Sequence, residues 1–358
     1  MEYVLFNYGY WFDILIVLVA VYSIYLFSKS SRQIIYQKHS GFLGWIVAIW
    51  VAITFGVRPL DSFCDSKLYS TMFRLLQTGI WDSLYSAESE WLWDNIEYFF
   101  VDYSTCQMWF LFIAVCYVGF IAISTHRWIP NNFTLAMLFA FTAMSFVAYG
   151  TNGIRNGMAT STALLGLSLI FSEKKSKILG YIVIYLAASI HSSMYAVLAA
   201  VMLSYVFKDV KTNIYIWIFC VVISFPFSNY FISLVSAYVG DFRMSYYSDI
   251  QASGSIKTGF RWDFIIYSSI PVLFGWVVCV KNNIKDYVYE HLLTVYLIIN
   301  AGWVLINSIA FSNRFAYLSW FMYPILIAYP LLKFHFLPNQ SKVTAFTLIF
   351  YLVFLFYV

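Results

Sequence analysis

The residues of this chain that could do chemistry stand where long apolar runs end. Arg58 follows one run in Val57-Arg58-Pro59, with Asp65 and Tyr69 close behind. Arg155 sits between two runs in Thr151-Asn152-Gly153-Ile154-Arg155-Asn156-Gly157. Arg261 opens another in Phe260-Arg261-Trp262-Asp263, and Arg314 a fourth in Ser312-Asn313-Arg314-Phe315. A guanidinium is a planar fork of five donors that grips a phosphate through paired hydrogen bonds. Ionisable groups at membrane depth are expensive and default to functional candidates. Four at helix ends therefore point to one shared anion site. The plainer reading makes each a snorkelling cation or the partner of a nearby acid such as Asp263.

Two residues are candidate bases for a hydroxyl proton. His191 lies in the turn His191-Ser192-Ser193, and a neutral imidazole accepts protons near neutral pH. Its plainer role is to cap that turn. Asp65 is the second candidate. The pairs Asn152-Gly153 and Asn156-Gly157 signal a turn before Arg155. That turn either presents backbone N–H groups to an anion at a helix start or is an ordinary connection.

These residues need elements to hold them, and composition says which. Of 358 residues, 62% are hydrophobic and 11% charged, with mean hydropathy +0.74. A soluble domain carries roughly 25% charged residues, so this surface suits lipid instead. Apolar runs of about 18 residues recur, each long enough to cross a bilayer core as a helix. Lipid offers no partner for a free N–H or C=O, which forces helices. Runs such as Ile14–Phe27 do not alternate as barrel strands would. The first run follows acids, not Lys or Arg, and reads as a retained span.

The expected spans lie near 13–28, 42–57, 107–124, 133–149, 157–172, 178–191, 194–207, 214–235, 263–280, 291–310, 315–333 and 342–358. Twelve spans put both termini on one side. The loops 58–105 and about 236–262 are the large ones, and Glu90–Tyr103 reads as a short helix lying on the membrane. The stretch 178–207 reads as a re-entrant hairpin turning at His191. Its first arm of about 14 residues spans roughly 21 Å, too short to reach the far interface. The whole chain reads as one polytopic domain, 1–358.

Charge then orients the spans. One set of loops holds thirteen basic residues, eleven of them Lys; the other holds eight, six of them Arg. The positive-inside rule places the first set in the cytoplasm. Joining 178–207 into one helix would leave eleven against ten. Of the 17 acids, 13 fall outside with the arginines. An outer face that breaks the rule, and breaks it with Arg, suggests an anionic ligand. His191 is the one histidine of five on that side.

Five cysteines form no CxxC pair and have no His at ligand spacing, so no metal or cofactor is expected. Cys64 and Cys106 flank loop 58–105 and could pair in an oxidising compartment. The net charge of +4 is too small to suggest nucleic acid.

Several of these motifs, in this order, resemble the EpsG family of Wzy-like O-antigen and exopolysaccharide polymerases. They are Arg58 with Asp65 and Tyr69, Asn152-x-Ile154-Arg155-x-x-x-Ala159, Ala187-Ala188-x-x-His191-x-Ser193, and Asn313-Arg314-x-x-Tyr317. Asn156 stands where relatives more often carry Gln. The resemblance spans roughly 50–330. It implies a GT-C-like, metal-independent glycosyltransferase of the bacterial inner membrane, with its site facing the periplasm or exterior. Its substrates would be oligosaccharides linked to undecaprenyl pyrophosphate, and a chain-length regulator is a possible partner. Arg58, Arg155, Arg261, Arg314, Tyr69 and Asn152 would bind the pyrophosphate or substrate, with His191 and Asp65 catalytic. The rival readings are a lipid-linked oligosaccharide flippase or transporter and an O-antigen ligase. A flippase usually shows internal repeats, and none is evident here.

Overall fold

The computed structural model describes residues 9–36, 41–80, 90–173, 176–239 and 259–357. Most of loop 236–262, with Arg243 and Lys257, lies outside the described residues, as do Glu2, Lys38, His39, Trp81, Lys174 and Lys175. The described chain is helical. It opens with α1 (Gly9–Ser28), α2 (Ser31–Tyr36), α3 (Phe42–Gly56), α4 (Cys64–Gln77), α5 (Trp91–Tyr103) and α6 (Cys106–Trp128). Then come α7 (Phe133–Phe141), α8 (Met144–Thr151), α9 (Ile154–Ile170), α10 (Lys177–Ile190), a 3₁₀ turn at Ser192–Met194 and α11 (Tyr195–Ser204). The remainder is α12 (Val210–Val239), α13 (Trp262–Gly275), α14 (Tyr287–Leu305), α15 (Ser312–Trp320), α16 (Tyr323–Lys333) and α17 (Gln340–Tyr357).

Every expected apolar run is helical, but lengths differ from the expectation. Among the described residues, six helical stretches are long and apolar enough to cross a membrane: Trp11–Ser28, Cys106–Trp128, Val210–Val235, Trp262–Lys281, Tyr287–Leu305 and Ser312–Lys333. The chain is thus a multi-pass membrane protein by its helices. Four others, Phe42–Gly56, Lys177–Ile190, Ser192–Ser204 and Gln340–Phe356, are apolar but short. The run expected at 133–149 is broken: α7 and α8 meet at 70°, because Ala143 is extended at φ −73° and ψ 134°. The break is tolerated because α7 is buried throughout and the Tyr117 hydroxyl donates to Phe146 O at 2.9 Å. Irregular backbone at membrane depth survives only against such protein partners.

The chain divides into two compact units, Met1–Tyr195 with Ile327–Val358, and Ala196–Leu326. In the first, α9 and α10 approach through glycines. A Cβ on Gly166 would stand 2.5 Å from Ile184 Cγ1 and 2.8 Å from Gly180 O. Close contact between small residues is how helices associate when lipid supplies no hydrophobic drive. Gly166→Ala is therefore expected to lower the melting temperature of the detergent-purified protein, since overpacking costs about 1–3 kcal/mol. An unchanged melting temperature would refute the close approach.

α4 and α5 fold the large loop over the end of this unit. α5 buries Trp93 and Glu97. Burial pushes the Glu97 carboxyl up to about 7, and neighbouring Asp94 adds to the rise. The folded state thus disfavours the ionised form. That cost is absent below about 4.5, grows as pH rises, and is complete above about 7. Glu97→Gln should raise the melting temperature at pH 8 and leave it unchanged at pH 4. Equal shifts at both values would contradict the burial of a charge. Cys64 is an exposed thiol and Cys106 a buried one, with no disulfide between them.

In the second unit, Asn300 on α14 is fully buried and ties helices together. Its Oδ1 accepts from Trp217 Nε1 at 2.7 Å, and its Nδ2 donates to Ser268 Oγ at 3.2 Å and Ser319 Oγ at 2.9 Å. A buried polar network satisfied in this way fixes register between α12, α13, α14 and α15.

Candidate functional site

The first unit gathers helix ends at one place. α10 stops at Ile190 because His191 is extended, φ −148° and ψ 119°, so the predicted break in 178–207 is present. Ser193 donates its backbone N–H to His191 Nδ1 at 3.2 Å, and its hydroxyl lies 2.7 Å from the same nitrogen. His191 thus caps the 3₁₀ turn. Because Nδ1 accepts there, the ring proton of the neutral form belongs on Nε2.

Glu90 closes the arrangement from the large loop. Its carboxylate is fully buried and forms an ion pair with the Arg155 guanidinium. Oε1 accepts from the Ser192 backbone N–H and hydroxyl, each at 2.9 Å, and lies 4.0 Å from His191 Nδ1. Arg155, in the first turn of α9, also donates from Nε to Ile190 O at 3.0 Å. Its guanidinium faces the Trp93 ring at 5.6 Å. One carboxylate therefore joins the start of α9, the end of α10 and the loop ahead of α5. A buried pair of this kind is costly to make and more costly to break, because the survivor is left charged in a poor solvent. Glu90 escapes the sequence reading: it is one acid among many in loop 58–105, and nothing local marks it for burial beside Arg155.

Arg58 ends α3 beside this cluster and is 3% exposed. Its guanidinium donates to Phe55 O, to Ser66 Oγ at 2.9 Å and to Thr151 O at 2.9 Å. The Phe110 ring lies 4.9 Å from it. Ser66 donates to Thr151 O as well, at 2.6 Å. Asn152 Oδ1 accepts the Asp65 backbone N–H at 2.9 Å. Arg58 and Asn152 thus bolt α3, the start of α4 and the turn before α9 together. Part of the N–H set of that turn is engaged within the backbone. The N–H groups of Asn152 and Gly153 go to Ala148 O, and that of Ile154 to Asn152 O. Gly157 lacks the side chain that would collide with Tyr149 O, which lets α9 start against the end of α8. Tyr69 joins an aromatic cluster, 5.7 Å from Trp93 and 6.2 Å from Trp109. Trp93 is buried there, packed under Arg155.

Arg261 and Arg314 belong to the second unit. Arg261 forms a two-pronged pair with Asp263, 2.9 and 2.6 Å, the partner the plainer sequence reading named. Its guanidinium lies over Phe264 at 3.6 Å. Buried Asn307 clasps its backbone, accepting its N–H at 2.8 Å and donating to its carbonyl at 3.3 Å. Phe311, at φ 55° and ψ 36°, is left-handed, a conformation a bulky residue rarely adopts and one that clusters at functional sites. It sets the start of α15, where the Arg314 guanidinium lies 5.0 Å from the Phe311 ring. Both arginines flank the turn between α14 and α15.

The sequence pattern of the EpsG family matches residues 41–358, most of the chain, a range within which every candidate residue above lies. The chain belongs to the EpsG family. EpsG is a Wzy-like, polymerase-type family, so membership gives the chain a polysaccharide-polymerase role in the broad sense. No match was found among curated proteins or solved structures. The candidate residues Arg58, Asn152, Arg155 and His191 lie together in one unit, although they are scattered over more than a hundred positions.

Proposed function

We propose that this chain joins lipid-linked repeat units, transferring a glycan from undecaprenyl pyrophosphate to the non-reducing sugar of another unit at the outer leaflet. The reading adopts twelve crossings with both termini outside, a re-entrant hairpin at 178–207 and a GT-C-like, metal-independent mechanism. The observation that carries it is the buried guanidinium of Arg155, oriented by Glu90, Ile190 O and Trp93 at the meeting of three helix ends.

In the reaction, a sugar hydroxyl oxygen attacks the anomeric carbon of the donor. The bond from that carbon to the pyrophosphate oxygen breaks, and its electron pair leaves with the pyrophosphate. Arg155 stabilises the departing charge. A preorganised donor aimed at developing charge is worth roughly two to three orders of magnitude in rate. The hydroxyl proton goes to Asp65, because His191 Nδ1 already accepts from Ser193. His191 instead offers its Nε2–H to the leaving group. Arg58 and Asn152 act as positioning residues.

His191→Asn separates these roles, since Asn is also a good cap. It should fold normally and lose roughly tenfold in polymer, the scale of one hydrogen bond to a charged group. Asp65→Asn should lose at least about a hundredfold, the scale of a general base. Loss of that size from His191→Asn with none from Asp65→Asn would return the base role to His191. The overall reading is tested by the lipids of a deletion strain. Single repeat units should accumulate on surface lipid. Units trapped on the inner leaflet would identify a flippase, and loss of all surface attachment a ligase.

A further inference from the structure

α4 has a second face that the reaction does not use. Lys67, Ser70, Thr71 and Arg74 recur at the spacing of one helical face, and with Leu60 and Asp61 they line a cavity of about 410 Å³. Ser66, Phe73 and Leu76 on the same helix are buried, and the Phe73 ring stacks on Trp109 at 5.4 Å, so the groove has a rigid back. Lys67, Thr71 and Arg74 are exposed. Neither cation has an ion-pair partner among the described residues.

The chemistry of the lining is mixed in an informative way. The two cations are seven residues apart, about 10 Å along the helix axis. Between them, the Ser70 and Thr71 hydroxyls donate to Lys67 O, at 3.0 and 2.8 Å, which leaves each as an acceptor; Thr71 is exposed and Ser70 is buried in the groove wall. Asp61 adds a carboxylate. A simple phosphate headgroup gains from the cations but offers no hydroxyl donor to Asp61 or Thr71. A glycan bearing both acid groups and hydroxyls satisfies both kinds of lining group. The groove also begins within a turn of Asp65 and Ser66, which bind Asn152 and Thr151 beside Arg155.

We propose that this groove holds an acidic oligosaccharide, its acid groups on Lys67 and Arg74 and its hydroxyls on Asp61 and Thr71. Calling that ligand the acceptor chain rests on the polymerase reading; the binding itself does not. The test uses the full chain in phosphatidylcholine nanodiscs, with pentagalacturonate as probe and the neutral glycan maltopentaose as control. Pentagalacturonate should bind more tightly than maltopentaose, and less so as salt screens the cations. Lys67→Gln and Arg74→Gln should each weaken pentagalacturonate at least tenfold while leaving maltopentaose affinity and the melting temperature unchanged. Unchanged pentagalacturonate affinity in both variants, or equal losses for both glycans, would overturn the assignment. Displacement of pentagalacturonate by glycerol phosphate at equal affinity would assign the groove to lipid headgroups and also overturn it. None of these results bears on whether Arg155 variants make polymer, so failure here is separable from failure of the proposed reaction.

Discussion

Arg155→Lys is expected to leave the protein in the membrane and to cut polymer at least a hundredfold. Lysine keeps the charge that buried Glu90 needs, so the fold retains its central pair. It lacks the fork that holds Ile190 O and Glu90 at once and that, in the proposed reaction, would also grip the pyrophosphate. Removing one such donor typically costs 10²- to 10³-fold in rate. Arg155→Ala should do more, stranding a fully buried carboxylate at a cost of about 3–5 kcal/mol. Polymer ladders are read on gels against membrane levels of each variant. Wild-type ladders from Arg155→Lys would remove Arg155 from the reaction.

Glu90 carries the second large effect, in the opposite order. Glu90→Ala deletes the acceptor of two Ser192 hydrogen bonds and the counter-charge of Arg155. Protein level and polymer should fall together. Glu90→Gln keeps an acceptor for Ser192 but no charge, and is expected to retain more protein than Glu90→Ala. The double variant Glu90→Gln with Arg155→Gln removes both buried charges, so it should be more stable than either single change and still make no polymer. A cycle of this kind measures the coupling of the pair directly. Strict additivity of the two single effects on melting temperature would contradict the buried bridge.

Much of this was legible in the chain. Helix ends near 28, 56, 190 and 333 follow from where apolar runs stop, and the break at His191 from its Ser-rich turn. The motif order resembles that of the EpsG family without reference to any contact. What stayed hidden depends on which groups the fold brings together. The kink at Ala143 carries no Gly or Pro signal, and its stability comes from Tyr117 and from burial by distant helices. Arg58 and Arg155 look alike in sequence, yet one guanidinium holds neighbouring backbone carbonyls while the other faces a buried acid. Asn300 sits in an apolar run with no local hint that two serines and a tryptophan will surround it. Long-range contacts choose these roles, and no local periodicity encodes them.

The central claim is that this protein forms glycosidic bonds between lipid-linked units. It is tested most directly by reconstituting the purified chain in liposomes with repeat units on undecaprenyl pyrophosphate. The account predicts a ladder of polymer with one undecaprenyl pyrophosphate released per bond, undiminished by EDTA and absent with Arg155→Lys. Repeat units that cross the bilayer and remain single would contradict it.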